Sequence, residues 1–193
     1  MKKVMVQLAC ALSLFLILGC ATSPDTRSIV YLRNNIHVQE RFSRSGEVVY
    51  RASYANYIDP GAGHMIIPVN TPVVVKGRGR RILITTQTDR KDIHVRFAFN
   101  STNMGMESDE YIKLITSPNK ISLKGLSSID QKGIAEGKPY AGMTKEGIRI
   151  ALGYPAVHRT PSLDVNMWVY WTNRFETTKI EFDPDGNVKQ IWY

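Results

Sequence analysis

The chain predicts an α+β protein, with a mainly-β half followed by a segment in which two helices precede three strands. Three observations carry this. Residues 28–118 hold runs whose apolar side chains fall on alternate positions, the two-residue period of a half-buried strand. After Pro118 a helical period takes over, with Ile148, Ala151 and Leu152 on one face between Thr144 and Gly153. Beyond Pro155 come three strand-like runs and no further helix signal. Helices ahead of strands, without strand–helix alternation, indicate α+β.

In order along the chain, Val48, Tyr50, Ala52 and Tyr54 alternate as one strand. Val73-Val74-Val75 and residues 81–86 flank a Gly-rich turn and predict a hairpin. Ile93, Val95, Phe97 and Phe99 alternate with His94, Arg96, Ala98 and Asn100, the clearest strand of this half. Ser108 can cap a short helix with Asp109 and Glu110 in its first turn and Tyr111, Leu114 and Ile115 on one face. Ser128 and Gln131 have capping-box spacing for the next helix, which Gly133 weakens and which closes near Gly137. Thr144 opens another, Gly153 suits its C-terminal position and Pro155 prevents continuation. The strands predicted last are 168–172, 177–182 and 188–193, the final two joined by the turn 183–187.

The N-terminal end predicts export. Lys2 and Lys3 precede an apolar run at 4–18, broken only by Gln7 and Ser13, and Gly19-Cys20 follows. A basic start, a short apolar stretch and a small residue before the cut mark a secretory signal. Ile17-Leu18-Gly19-Cys20 resembles the bacterial lipobox, in which the cysteine takes a diacylglyceryl group. The expected organisation is a signal peptide at 1–19, a lipidated tether at 20–27, a mainly-β domain at 28–118 and an ααβββ domain at 126–193. Two or more acyl chains hold a protein stably on a bilayer. Cys10 lies inside the signal and Cys20 at the cut, so the mature chain has no thiol for a disulfide, a nucleophile or a metal. The leader carries two lysines and no acid, so the net charge falls from +8 to +6 on cleavage. Export removes nucleic acid as a partner and leaves anionic envelope headgroups as the counterpart of that charge.

Gly142-Met143-Thr144-Lys145-Glu146 and Leu152-Gly153-Tyr154-Pro155 resemble the second-helix signature of the SmpA/OmlA (BamE-like) family of outer-membrane lipoproteins. Trp168-Val169-Tyr170 and Phe182-Asp183-Pro184-Asp185-Gly186-Asn187-Val188 resemble that family's first strand and last turn. The likeness covers about 126–193. It implies two helices on a three-stranded antiparallel sheet and a role beside the β-barrel assembly machine. Gly147 departs from the family pattern, and a helical glycine costs about 1 kcal/mol relative to alanine. A fold by itself does not assign function.

Candidate residues fall into three groups. Cys20 is the lipidation site. Tyr140, Met143, Trp168 and Tyr170 are candidate partner contacts, and the alternative for such aromatics is scaffold beneath the helices. Lys76, Arg78, Arg80 and Arg81 sit with two glycines at the predicted hairpin tip, either as a solvated turn or as a contact for anionic headgroups. His37, His64, His94 and His158 lack ligand spacing, and Asp183, Asp185 and Asn187 form a turn without the sixth-position glycine and distal Glu of a calcium loop. No catalytic residue, metal or cofactor is expected. The expected function is a non-catalytic lipoprotein on the periplasmic side of the outer membrane, binding another envelope protein. The alternative is capture of a small glycan or lipid by the N-terminal β domain.

Overall fold

The computed structural model describes residues 28–88 and 92–193. The expected signal peptide, Cys20 and the expected tether therefore lie outside the described residues. Eight strands form one curled sheet: β1 (Val30–Leu32), β2 (Ile36–Phe42), β3 (Val48–Ser53), β4 (His64–Ile67), β5 (Pro72–Arg78), β6 (Arg81–Thr86), β7 (His94–Ala98) and β8 (Thr116–Ser117). Their order across the sheet is β4-β2-β3-β7-β6-β5-β1-β8. Every pairing is antiparallel except β3 with β7. The period-two pattern places Val73 and Val75, Ile82 and Ile84, and Val95 and Phe97 on the inner face, all buried. Against that face lie α1 (Ser101–Met104) and α2 (Ser108–Ile115), which add Met104, Tyr111 and Ile115 to the core.

The β5–β6 hairpin forms where the Gly-rich turn predicted it, and Gly79 takes a φ of +57° at its tip. Gly77 answers a different need. A Cβ there would sit 2.5 Å from Ile112 Cδ1, so a larger residue would make the end of the Ile112 side chain shift where α2 crosses the strand. The cap of α2 is Glu107, one residue before the expected Ser108. Glu107 N–H donates to the Glu110 carboxylate at 2.9 Å, while Ser108 is buried in the first turn.

The rest of the chain forms α3 (Ser128–Glu136), α4 (Lys145–Leu152) and a second antiparallel sheet of β9 (Met167–Trp171), β10 (Thr177–Phe182) and β11 (Val188–Trp192). The cap of α3 is Ser127 and its capping-box partner is Asp130, each one residue before the expected Ser128 and Gln131. Asp130 wins because it is fully buried between the helices. It accepts from Ser127 Oγ at 2.8 Å and from Thr144 N–H at 2.8 Å, joining the starts of α3 and α4. Gly147 is explained by the same carboxylate, since a Cβ there would lie 2.0 Å from Asp130 Oδ1. The residue expected to weaken the helix is what lets the helices meet.

The expected fold class is corrected on these observations. The described residues are mostly β, organised by the eight-stranded sheet, with four short helices of four to nine residues among them, and they do not show a BamE-like ααβββ domain. The physical reason is a buried polar seam between the two sheets. Asn35 N–H donates to Ile150 O at 2.8 Å, and its side-chain amide donates to Ile134 O at 2.7 Å and Ala151 O at 3.2 Å. Asn56 Nδ2 donates to Tyr154 O at 2.7 Å, and Ile58 N–H donates to Trp171 O at 3.0 Å. Carbonyls at the ends of α3 and α4 are thus satisfied by the first half of the chain. The order of elements in the last third could not reveal that dependence.

Candidate functional site

The face each strand residue occupies decides what it can touch. In the small sheet, Trp168, Tyr170, Thr178, Ile180 and Phe182 turn toward α3 and α4 and are buried. Of the candidate partner contacts, Met143 (0% exposed), Trp168 (2%) and Tyr170 (1%) are therefore corrected to core residues. Each has a structural partner. Trp168 meets Phe182 edge-on at 4.8 Å and its Nε1–H donates to Leu163 O at 3.2 Å. Tyr170 hydroxyl donates to Gly153 O at 3.0 Å, and Met143 fills the space that a Cβ on Gly133 would need. Only Tyr140 stays half-exposed, its hydroxyl donating to Glu136 and its ring lying 4.4 Å from Lys132 Nζ.

The opposite face of the small sheet carries Met167, Val169, Trp171, Lys179, Glu181 and Trp192. Register sets Val169 beside Lys179 and Lys179 beside Trp192. Met167 is 43% exposed and Trp192 52%, and Arg159 covers part of the Trp171 ring at 4.9 Å. Val169 and Trp171 are half-buried. Sequence reasoning anticipated contact aromatics on these strands and chose the wrong parity, because a two-residue period does not say which face the helices take.

At the other sheet, Lys76, Arg80 and Arg81 are exposed around the β5–β6 turn, with Arg78 paired to Arg81 in backbone register. β1 runs antiparallel to β5 with Val30 opposite Val73, so the N-terminal end of β1 points toward this tip. The cations continue across the outer face of the sheet. Lys76 lies beside Leu83, Leu83 beside Arg96, Arg96 beside Arg51 and Arg51 beside Gln39. This row was missed because the parallel pairing of β3 with β7, which sets Arg51 against Arg96, has no signal in the sequence.

Beside the end of that row are two adjoining cavities of about 320 and 660 Å³, sharing Gln39, Arg41, Tyr57 and Pro60. Arg51 and Ser53 line the smaller, and Arg174 and Phe175 the larger. Gln39 Nε2 donates to Pro60 O at 3.1 Å and Ala62 O at 3.0 Å, while its Oε1 accepts from Arg41 Nε at 2.7 Å. The amide therefore fixes the Arg41 guanidinium on one edge.

Two histidines far apart in sequence meet in the seam. His37 and His64 stack with ring centroids 5.2 Å apart, and His37 Nδ1 lies 3.0 Å from His64 Nε2. His37 Nε2 lies 3.0 Å from Ala151 O. A carbonyl only accepts, so Nε2 of neutral His37 carries the proton and Nδ1 accepts from His64 Nε2–H. Burial pushes His37 down to about 4, opposed by the Ala151 bond, and burial also lowers His64. His94 is exposed and 3.1 Å from Thr85 Oγ1, and His158 is exposed. Among the described residues, no three His, Cys, Asp or Glu side chains gather where they could hold a metal ion. Among the same residues, no helix is long and apolar enough to cross a membrane.

No protein-family model, curated protein or solved structure matches the chain.

Proposed function

We propose that this protein is a non-catalytic lipoprotein of the outer membrane, facing the periplasm, that binds another envelope protein through the face of its small sheet opposite α3 and α4. The observation that carries this reading is that Met167, Val169 and Trp171 of β9 and Trp192 of β11 flank Lys179 and Glu181 of β10 on one face, with Met167 and Trp192 exposed. Tryptophan and methionine are enriched at protein contacts, where a large rigid side chain buries much area for little lost entropy. Lys179 in the same row favours a partner with an acidic group beside an apolar patch. The β-barrel assembly machine, suggested by the resemblance in the last third of the chain, is the first partner to test.

Anchoring supplies the proximity. Diacylated Cys20 at the end of a tether with a reach of roughly 25 Å keeps the domain near the bilayer and raises its concentration around membrane partners. The N-terminal end of β1 points toward the tip that bears Lys76, Arg80 and Arg81, so the tether can bring these cations to anionic headgroups. A photoreactive phenylalanine at position 192 or 167, activated in intact cells, tests the contact. One discrete protein adduct from these positions, and none from exposed Lys124 on another surface, is the expected result. Equal labelling from all three positions, or none, overturns the reading.

A further inference from the structure

The cleft over β2 and β3 has a chemistry that the protein contact does not use. In its smaller cavity, Arg41 and Arg51 face the same space, and no carboxylate is among the residues lining it. Arg51 lies directly beside Arg96 in the register of β3 and β7, on the same face. Like charges directly opposite on neighbouring strands destabilise a sheet. Among the described residues, none of Arg41, Arg51 and Arg96 has an ion pair. Three guanidiniums thus gather on one side of a sheet with no ion pair among the described residues, and no carboxylate lines the smaller cavity that Arg41 and Arg51 share. Arg41 is also oriented: its Nε is held by Gln39, which is itself held by two carbonyls, and its terminal amino groups make no bond to a described residue.

The remaining lining narrows the ligand. Tyr57 lies between the two cavities, and its hydroxyl bonds no described residue. Ser53 lines the smaller cavity, and Asn173 and Phe175 line the larger. Aromatic faces beside amides and hydroxyls suit the flat apolar face and ringed hydroxyls of a sugar, and guanidinium forks suit a planar carboxylate or a phosphate. The carboxylates of the cleft, Asp59 and Glu176, lie only in the larger cavity, and Glu176 already accepts from Asn173 Nδ2 at 2.7 Å. The two volumes lie within the range that ordinary small ligands occupy, about 300 to 1,000 Å³.

We infer that this cleft is a binding site for an anionic saccharide, with its acidic group on Arg41 and Arg51 and its sugar ring against Tyr57. A carboxylated sugar and a phosphorylated sugar share this chemistry. The inference needs neither the lipid nor the protein contact, so failure of either leaves it standing.

Isothermal titration of the full mature chain in detergent tests it with N-acetylmuramic acid, N-acetylglucosamine 1-phosphate, neutral N-acetylglucosamine and a tetraglutamate peptide. At least one charged sugar is expected to bind roughly tenfold or more tightly than the neutral sugar and the peptide. Which one binds identifies the acidic group. Arg41→Gln and Arg51→Gln should each weaken that binding roughly tenfold. Arg51→Gln should leave the melting temperature unchanged or raised, because it relieves the repulsion with Arg96. Lys189→Gln, remote from the cleft, is the control and should bind as the parent does. Equal binding of the neutral sugar, stronger binding of the peptide, no heat at millimolar ligand, or parental affinity in a folded Arg51→Gln protein would each overturn the inference.

Discussion

Acidification should loosen the seam between the two sheets, and His37 sets the size of the effect. Its ring is 4% exposed, with Nε2–H on Ala151 O and Nδ1 facing the His64 N–H. A second proton on His37 would have to sit on Nδ1, directly against that N–H. Burial is the larger cause, and the folded value falls from 6.5 to about 4. The unfolded chain therefore binds a proton that the folded chain refuses. Stability is fully present above about pH 6.5, declines as pH falls below it, and levels off below about pH 4. A shift of about 2.5 units at about 1.4 kcal/mol each gives a limit of about 3 kcal/mol, of which about 2 kcal/mol is lost by pH 5. His64, lowered by burial, acts in the same direction. Urea unfolding followed by circular dichroism, at pH 7.5 and pH 5, measures this for the parent and for His37→Gln. The variant lacks the titrating ring, so its deficit relative to the parent should shrink by about 2 kcal/mol at the lower pH. A deficit that is the same at both pH values would refute the reasoning.

Gly147→Ala would stabilise an open helix by about 1 kcal/mol. Here it should destabilise by about 2 kcal/mol, read as a lowered melting temperature, because its Cβ must displace the Asp130 carboxylate from between α3 and α4. Met143→Ala should cost about 2–5 kcal/mol in urea unfolding, as a buried core truncation does. Trp192→Ala should leave stability within about 1 kcal/mol and remove the crosslinked partner. Cys20→Ser should abolish incorporation of labelled palmitate and release the protein from membranes on fractionation, and undiminished label would refute the anchor.

Sequence alone placed the strands and helices it named within about three residues, and it did not name β1, β2, β4, β8 or α1. The β5–β6 hairpin, the alternation of Val95 with Phe97, the Thr144 cap and the 183–187 turn were all legible, because each is dictated by chemistry a few residues long. Side-chain parity was not. Trp168 and Trp171 carry the same indole on one strand, and only the position of α3 and α4 makes the first core and leaves the second half-buried on the opposite face. Cap identity also moved by one residue where a tertiary partner outbid the local one, as Asp130 did by reaching Thr144.

What the sequence determined by itself was therefore local. It supplied the period of the elements it named, the turns, and the expectation of a leader at 1–19 followed by an anchor on Cys20. Tertiary structure alone decided the fold class, the seam and the cleft. Asn35 reaches carbonyls of α3 and α4 about a hundred residues away, His37 meets His64, and Arg51 lies against Arg96 through a parallel pairing. The reason is that a period of two or of 3.6 fixes which residues share a face, but carries no information about which distant face it meets.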